Sequence, residues 1–295
     1  MPSPLDLEIV IVSHGAEELL RRCLRSLAEH PSQGTMRVTV VDSGSTDSTP
    51  DMVEREFPAV RLLRRENIGF SAANNVVLRE DEAAAVLLLN PDTEVYAGTL
   101  DAALARLRSD ERIGMVGAKL LTESGELDHA CKRSFPTPLS ALAHFTGIGR
   151  SEDASGALSQ YRATHLGDDD AGEVDAVNGA FMLCRAEAVR EVGLLDAGYW
   201  LYMEDLDWCR RFWQAGWKVF YEPASVALHV KGGSSGKRRR PKQEIAFHRG
   251  MGRFYRRFDA PEHNPLVNAA VYAGIWAKLS VSLAITKASG LHGSG

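Results

Sequence analysis

The chain has 295 residues, 44% of them hydrophobic, which is enough for the core of one large domain or two modest ones. Its 34 basic and 39 acidic residues give a net charge of -5, which argues against a general nucleic-acid-binding protein. The four cysteines form no CxxC pair, so neither a zinc site nor a disulfide framework is indicated, and they fit a reducing cytosol. The first apolar run, residues 7–12, predicts a strand and not a signal peptide.

Apolar runs and helical spacing alternate through the first 118 residues. The predicted strands span residues 7–12, 36–41, 60–63, 84–89 and 113–118. The predicted helices lie between them, at residues 17–30, 48–57, 67–79 and 100–107. This alternation is typical of a doubly wound, mostly parallel α/β sheet with right-handed connections.

The regular pattern is lost over residues 120–173, where prolines, glycines and an acidic run at 168–170 predict loops. Further elements are predicted downstream: strands at 181–183, 217–221 and 225–230, and helices at 186–192, 204–215, 243–258 and 264–287. A glycine-rich segment, 232–236, and a basic segment, 237–242, precede the last two helices. We therefore expect an α/β domain at residues 1–236, and a basic linker with C-terminal helices at residues 237–295.

Two polar loops, residues 42–47 and 90–94, each follow a predicted strand. Open α/β sheets bind ligands just outside the carboxyl ends of their strands, so both loops should border one ligand site. The Asp42 carboxylate could accept hydrogen bonds from a nucleotide base or ribose, and Gly44 would permit close approach. Capping of the following helix by Asp47 is the structural alternative for this loop.

The buried strand at residues 86–89 ends at Asn90-Pro91-Asp92, which a simple turn would also explain. Mg²⁺ and Mn²⁺ are often held by only one or two carboxylates, with phosphate oxygens and water completing the shell. Asp92 is therefore a candidate metal ligand. His229, which lies between a strand-like segment and the glycine-rich segment, is a candidate nitrogen ligand, although a single histidine is more often structural.

One predicted helical turn contains three acidic residues, Glu204, Asp205 and Asp207, which is more than are needed to cap a helix. The helix dipole favours an ionised carboxylate at this end and lowers its pKa, which suits a general base. Capping and dipole compensation alone are the structural alternative.

In chain order, segments 40–47, 67–70, 89–92, 179–182 and 203–207 resemble the motifs of family 2 glycosyltransferases, and of their rhamnosyltransferase-like branch in particular. The resemblance covers about residues 7–232. Each motif is weak by itself, but the ordered set is specific. The resemblance implies a GT-A fold, a nucleoside-diphosphate sugar donor and inversion at the anomeric carbon.

The resemblance also implies roles for individual residues. The nucleotide sugar would be bordered by Ser13, Asp42, Ser43, Asn67, Asn90 and Asp92. Asp205 would be the catalytic base with Glu204 beside it, and His229 would match a histidine that reaches the metal in some members. Asn90 replaces the first aspartate of the Asp-x-Asp metal motif, so the strictness of dependence on Mg²⁺ or Mn²⁺ stays open. The acceptor sugar could stack on Trp200, Tyr202 and Trp208, with core packing as the alternative.

The expected partners are a thymidine, uridine or guanosine diphosphate sugar, with rhamnose as the first sugar expected, and a glycan or lipid-linked acceptor. The apolar stretch at residues 266–285 has nearly the length of a membrane span. Lys278 and many alanines favour an interfacial helix or a helix packed on a partner, including a second copy of the chain. We therefore expect a cytoplasmic enzyme, with peripheral contact to the cytoplasmic face of the membrane as an open alternative.

Two other kinds of protein remain alternatives. A non-catalytic nucleotide-sugar-binding protein would need Asp42 and Asp92 but not Asp205. A nucleotidyltransferase would carry a glycine-rich loop with a lysine or arginine after the first strand, which residues 13–17 do not supply. A dinucleotide-dependent dehydrogenase is disfavoured because no G-x-G-x-x-G follows a strand.

Overall fold

The computed structural model describes residues 5–80, 82–135, 163, 166–230 and 240–291, with side chains described as far as residue 286. Its strands are β1 (Leu7–Ser13), β2 (Met36–Ser43), β3 (Arg61–Arg65), β4 (Ala85–Leu89), β5 (Thr93–Val95), β6 (Ile113–Leu121), β7 (Lys132–Arg133), β8 (Gly172–Glu173), β9 (Ala176–Val177), β10 (Phe181–Arg185) and β11 (Lys218–His229). Its helices are α1 (Glu17–Glu29), α2 (Thr49–Glu56), α3 (Phe70–Leu78), α4 (Thr99–Ser109), α5 (Ala186–Val192), α6 (Glu204–Gln214), α7 (Pro241–Phe258) and α8 (Pro265–Leu291). Short 3-10 turns occur at His129–Cys131 and Ala260–Glu262.

The main sheet has the strand order β3-β2-β1-β4-β10-β6-β11-β5, with β8 paired to β11. Strands β1, β2, β3 and β4 are parallel, whereas β10 runs antiparallel between β4 and β6. The register aligns Ser13 with Asp42 and Ile11 with Leu89. The carboxyl ends of β1, β2 and β4 therefore share one edge of the sheet, as predicted, and the α/β fold is confirmed.

Strand β4 lies in the middle of the sheet, between β1 and β10, and every residue of it is buried. This position explains its unbroken run of aliphatic side chains, because both of its faces are covered by other parts of the protein. A core truncation here, such as Leu88→Ala, would cost about 2–5 kcal/mol of stability. The strand is a rigid base for the polar loop that follows it.

The predicted strands at 217–221 and 225–230 are one strand, β11, with a register shift against β6 between Glu222 and Val226. Pro223 lies in this interval and has no N–H to donate, so the pairing is interrupted without ending the strand. Past the irregularity, β11 pairs with the short strand β5, which the sequence did not predict, and His229 aligns with Thr93.

The expectation of loops over residues 120–173 is wrong for parts of this range. Strand β6 continues to Leu121, and short strands β7 and β8 follow at Lys132–Arg133 and Gly172–Glu173. These strands are too short for a periodic pattern to show. The predicted loops at 136–162 and the segments at 232–236 and 237–239 lie outside the described residues.

Helices α7 and α8 pack against each other, with Phe254, Tyr255 and Phe258 buried on α7 and Ile275 and Leu279 buried on α8. The α8 segment Pro265–Thr286 is long and apolar enough to cross a membrane, and only 11% of it is buried. The preference for an interfacial helix over a span, and the domain boundary at residue 236, stay predictions.

Candidate active site

The loops after β1 and β2 form one end of the candidate site. Ser13 and Asp42 are aligned neighbours in the two strands, and both are buried. Asp42 Oδ2 accepts a hydrogen bond from the Ser45 N–H at 3.3 Å. Asp42 Oδ1 and Ser13 Oγ are buried without a hydrogen-bond partner among the described residues. Because such an atom costs about 1–3 kcal/mol, a polar ligand is the natural partner for this pair.

The same two loops are tied together by their own polar groups. The Ser43 carbonyl lies 2.8 Å from His14 Nδ1, and the Gly15 N–H donates to Ser45 Oγ at 2.8 Å. Gly44 has a φ of +73°, and a Cβ there would lie 3.2 Å from the backbone nitrogen of Asn67. Half-buried Asn67 is thereby placed next to this loop.

Asp47 has the structural role that was the alternative for it. One of its carboxylate oxygens, Oδ1, accepts a hydrogen bond from the Thr49 N–H at 3.1 Å, at the start of α2. It is exposed, in contrast to buried Asp42.

The loop after β4 is held at both of its ends. The Asn90 N–H donates to the carbonyl of Ala180 at 3.1 Å, and the Asp92 carbonyl accepts from the Val230 N–H at 2.9 Å. Asp92 is buried. The pairing of β5 with β11 brings His229 beside it, so that His229 Nε2 lies 3.6 Å from Asp92 Oδ1. The structure thus brings the two predicted metal ligands together.

His229 is also fixed from its other side. Its Nδ1 lies 3.1 Å from Oδ2 of the buried Asp128. Burial lowers the pKa of His229, but the hydrogen bonds and charges of Asp128 and Asp92 outweigh it and raise that pKa to about 9. A carboxylate that fixes the second nitrogen of an imidazole is the arrangement usually found behind a metal-ligating histidine.

The donor set fits a divalent cation that is shared with a ligand. Within the described ranges there is no group of three or more histidine, cysteine, aspartate or glutamate side chains that could hold a metal ion. Asp92 and His229 offer one carboxylate and one imidazole close enough to bind the same ion. Mg²⁺ commonly takes only one or two protein carboxylates, with phosphate and water completing its shell.

Asp205 is the second residue of α6 and is held in a fixed orientation. Its Oδ2 lies 2.6 Å from Arg133 Nη2 and accepts a longer hydrogen bond, 3.4 Å, from the Gly179 N–H. Its Oδ1 accepts from the Leu206 N–H at 2.8 Å. The side chain is 13% exposed, so a substrate hydroxyl can reach it from one side.

Glu204, the neighbour of Asp205, behaves differently from the prediction. Its side chain is buried, and Oε2 has no hydrogen-bond partner in the described part of the chain. Burial, and then the nearby charge of Asp205, raise the pKa of Glu204 to about 8. The expectation that the helix terminus lowers this pKa is wrong for Glu204, because desolvation outweighs the dipole. At neutral pH Glu204 is mostly protonated.

Asp207, the third acid of this turn, is structural. It is fully buried, pairs with Arg211 Nε at 2.8 Å and Arg257 Nη1 at 3.1 Å, and accepts a hydrogen bond from the Tyr199 hydroxyl at 3.2 Å. The turn therefore contains one solvent-accessible carboxylate, one buried carboxyl and one buried ion pair.

The turn before α6 has an unusual backbone. Tyr202 and Met203 have φ values of +69° and +72°, which are uncommon for residues other than glycine. A Cβ on Gly250 of α7 would lie 3.1 Å from the Tyr202 carbonyl oxygen, so the absence of a side chain at Gly250 lets α7 pack closely against this turn. Such strain persists where the surrounding structure enforces it, and it is frequent at ligand sites.

The three aromatic residues predicted to bind the acceptor have different positions. Trp208 is 0% exposed, and its Nε1 donates to the Gly193 carbonyl at 2.9 Å. The prediction that Trp208 stacks on a sugar is therefore wrong, and the alternative of core packing holds. Trp200 and Tyr202 are half-buried. Lys242 Nζ lies 4.1 Å above the Trp200 ring, and Tyr202 packs edge-on against Phe247.

Sequence reasoning missed Arg133, Asp128 and the role of Gly69. Arg133 and Asp128 lie in the range that was read as loops. Gly69 belongs to one of the motifs named above, but the reason why this position needs a glycine is visible only in the structure. It has a φ of +91°, and a Cβ there would lie 2.5 Å from Trp200 Cδ1. The Phe70 N–H also donates to the Trp200 carbonyl at 2.8 Å, so the loop before α3 is held against the loop before α6.

The sequence and fold of the chain are similar to those of known proteins. Residues 4–244 match the model of a family described as glycosyltransferase like family 2. The chain is 30% identical over 254 residues to the N-acetylglucosaminyl-diphospho-decaprenol L-rhamnosyltransferase of Mycobacterium tuberculosis (strain ATCC 25618 / H37Rv), and the alignment covers 82% of this chain and 81% of that protein.

Two solved structures are similar in fold. The mannosyltransferase PcManGT of Pyrobaculum calidifontis, in complex with GDP-Man and Mn²⁺, is 19% identical with a TM-score of 0.58, and the alignment covers 97% of this chain and 76% of that one. GalNAc-T7, with UDP, GalNAc and Mn²⁺, is 14% identical with a TM-score of 0.62, over 87% of this chain and 48% of that one, about half its length. These likenesses confirm the predicted GT-A fold.

Proposed function

Because the chain belongs to glycosyltransferase-like family 2 and is a glycosyltransferase of polysaccharide synthesis, we propose that it is an inverting enzyme. It transfers a sugar from a nucleoside-diphosphate donor to a hydroxyl of a lipid-linked saccharide. A glycosyltransferase is favoured over a non-catalytic nucleotide-sugar-binding protein because the M. tuberculosis relative is named as a rhamnosyltransferase.

One connection within the site carries this proposal. Asn90, in the loop with Asp92, is hydrogen-bonded to Ala180, and Gly179, directly before Ala180, is hydrogen-bonded to Asp205. The segment Gly179-Ala180 thus links the loop of Asp92, the carboxylate suited to bind a cation, to Asp205, the carboxylate suited to accept a proton. In the transfer of a sugar from a diphosphate, a cation can neutralise the leaving group and a base can accept the proton of the acceptor hydroxyl.

The donor nucleotide lies at the β1 and β2 end of this edge. Asp42 Oδ1 and Ser13 Oγ, buried and lacking partners among the described residues, bind its base or ribose, with Ser43 and Asn67 beside them. Rhamnose is the sugar that we propose, since the M. tuberculosis relative is named as an L-rhamnosyltransferase. Thymidine diphosphate is the carrier that we propose with it.

Asp92 and His229 would hold a Mg²⁺ or Mn²⁺ ion, with Asp128 fixing the imidazole and Asn90 beside the site. The bound ion would neutralise the negative charge of the leaving diphosphate. Since Asn90 replaces the first aspartate of the Asp-x-Asp motif, the site has one carboxylate for this ion, and its affinity for the ion would depend on the diphosphate.

Asp205 is the general base. As the acceptor oxygen forms its bond to C1 of the donor sugar, its proton moves to Asp205, and the bond from C1 to the diphosphate breaks. Arg133 and the Gly179 and Leu206 N–H groups hold the carboxylate in place, and protonated Glu204 adds no second negative charge beside it. Trp200 and Tyr202, half-buried in the loop before α6, contact the acceptor.

The enzyme acts in the cytoplasm, in peripheral contact with the membrane. The M. tuberculosis relative is named for a decaprenyl-linked substrate, and α8 presents an apolar surface that is mostly unburied. An acceptor with a polyprenyl chain would stay in the bilayer while its sugar enters the site.

A panel of nucleotide sugars in a thermal-shift assay, with Mg²⁺ or Mn²⁺ present, tests the proposal. The correct donor raises the melting temperature because it binds only the folded state. A transfer assay with that donor and a polyprenyl-diphosphate acceptor should release a nucleoside diphosphate. Release of inorganic pyrophosphate would instead indicate a nucleotidyltransferase, and no shift with any donor would contradict the proposal.

A further inference from the structure

A cavity of about 420 Å³ lies between α7 and α8, and none of the proposed active-site residues lines it. Its polar wall is formed by His248, Arg249, Arg253 and Arg256 of α7. Its other wall is formed by Tyr272, Ile275 and Trp276 of α8. The cavity therefore joins a cationic surface to an apolar and aromatic one.

The three arginines are spaced four and three residues apart, so they share one face of α7. Neighbouring like charges at this spacing destabilise a helix unless something compensates them. The charge of Arg253 is compensated by Asp196, since Arg253 Nη2 lies 2.8 Å from Asp196 Oδ2. This ion pair neutralises part of the positive charge of the cavity. Within the ranges that the structure describes, no ion pair involves Arg249 or Arg256, and both are exposed. Two guanidinium groups thus remain available for an anion.

His248 gives independent evidence of a ligand. The side chain is 1% exposed, and its Nδ1 lies 2.8 Å from the carbonyl oxygen of Glu244, to which it donates. Its Nε2 is buried and has no hydrogen-bond partner in the part of the chain that the structure describes. A buried ring nitrogen without a partner is unfavourable, and a group bound in the cavity would supply one.

Helix α8 is apolar on the side away from the cavity as well. Trp276, in the cavity wall, is 51% exposed, and Val281 and Ile285, about 140° and 180° around the helix from it, are also exposed. Tryptophan and tyrosine side chains are frequent at the boundary between water and lipid, with the cationic groups nearest the headgroups. A soluble anion would use the arginines alone, whereas a lipid would use both the arginines and the apolar surface of α8.

We propose that this cavity binds the phosphate headgroup of an anionic membrane lipid. Arg249 and Arg256 take the phosphate oxygens, since the planar guanidinium group matches phosphate geometry, and His248 Nε2 lies against the headgroup. Trp276 and the exposed side of α8 lie against the acyl chains. The inference rests on the membrane contact in the proposed function, but not on the donor, the base or the metal.

Vesicle flotation of the full chain tests this proposal. The chain should float with phosphatidylcholine vesicles that contain phosphatidylglycerol, and much less with phosphatidylcholine alone. The double variant Arg249→Gln/Arg256→Gln should bind the anionic vesicles on the order of 30-fold more weakly, because each cationic side chain near the surface contributes about fivefold. The matched control is Arg79→Gln/Arg190→Gln, which removes two exposed charges from the α/β domain and should leave binding nearly unchanged.

Three results would overturn the proposal. Equal binding of the Arg249→Gln/Arg256→Gln variant would show that the cavity arginines are not used. An equal loss in the control would show attraction by net charge alone. A saturable thermal shift with glycerol phosphate, lost in the Arg249→Gln/Arg256→Gln variant while vesicle binding persists, would assign the cavity to a free phosphate ester.

The same samples separate this proposal from the proposed function. The thermal shift caused by the nucleotide-sugar donor should be the same in the parent chain and in both double variants, which also shows that they are folded. Donor binding without binding to anionic vesicles would contradict the lipid site and the proposed membrane contact, but not the proposed transfer reaction. Vesicle binding without any donor shift would contradict the transferase proposal only.

Discussion

Arg133 Nη2 lies 2.6 Å from Oδ2 of Asp205, and the same nitrogen also lies 2.6 Å from the Val177 carbonyl oxygen. Both side chains of this ion pair are largely buried, so solvent screens it little. A general base must be held in position before the substrate arrives, because its contribution depends on its distance from the acceptor proton. The ion pair fixes Asp205 in this way.

Replacement of the proposed base should separate binding from transfer. Asp205→Asn keeps the size of the side chain and removes its proton-accepting charge, so we expect a 10²- to 10⁴-fold loss of kcat. The thermal shift with the nucleotide-sugar donor should persist, since the donor is bound at the other end of the site. Glu187→Gln, on the exposed face of α5, is a control that should keep full activity. Retention of kcat in Asp205→Asn would exclude Asp205 as the base.

Glu204 should make the stability of the protein depend on pH. Its pKa is about 8 in the folded chain, above the ordinary value of 4.5, so the folded state keeps a proton that the unfolded state has released. Stability from this group is complete below 4.5 and is lost as the pH rises through about 8. Glu204→Gln carries no ionisable group, so its stability relative to the parent should rise between about pH 5 and about pH 8.5. Urea unfolding at both values measures this, and two parallel pH profiles would contradict the high pKa.

Asp128 should act on the metal through His229. It touches His229 Nδ1 while the other ring nitrogen lies toward Asp92, so Asp128→Asn should weaken binding of Mn²⁺ by about 10- to 100-fold. Titration of Mn²⁺ in the presence of a nucleoside diphosphate, followed by electron paramagnetic resonance, measures this without an activity assay. Asp101→Asn, in the first turn of α4, is a carboxylate control that should not change the affinity. An unchanged affinity in Asp128→Asn would remove Asp128 from the site.

The parallel part of the sheet could be predicted from the sequence because its strands and helices are long enough to show a period. The strands and helices predicted within residues 7–118 are all present, with ends shifted by a few residues. Strands β5, β7 and β8 have two or three residues, too few for any pattern, and the antiparallel direction of β10 depends on pairing with distant strands. Helical and strand periods report local burial, whereas strand direction is a property of the whole sheet.

The site residues that lie at or directly after strand ends could be predicted from the sequence. The site residues that come from segments without a periodic pattern could not. Asp42 and His229 lie at the ends of strands β2 and β11, Asp92 follows the end of β4, and the structure brings Asp92 and His229 together. Arg133 and Asp128 come from a range without a periodic pattern, so no sequence signal connected them with Asp205 or His229. Trp208 looked like a sugar-stacking residue because its position along the chain is close to the site, but it lies on the side of α6 that faces the core.

The contact between Gly69 and Trp200 should couple the donor loop to the acceptor loop. Gly69 has φ +91° and ψ +161°, a region open almost only to glycine, and an added Cβ would lie 2.7 Å from the Trp200 carbonyl oxygen. Gly69→Ala should therefore displace the loop before α6, lowering both the melting temperature and kcat/KM. Gly98→Ala is the matched control: its φ is also positive, at +84°, but a Cβ there meets nothing within 4 Å. The control should lose about 1–2 kcal/mol of stability and keep its kcat/KM. A Gly69→Ala variant whose melting temperature falls no more than that of Gly98→Ala would contradict this prediction. Unchanged kcat/KM in Gly69→Ala would show that the contact between the two loops does not contribute to transfer.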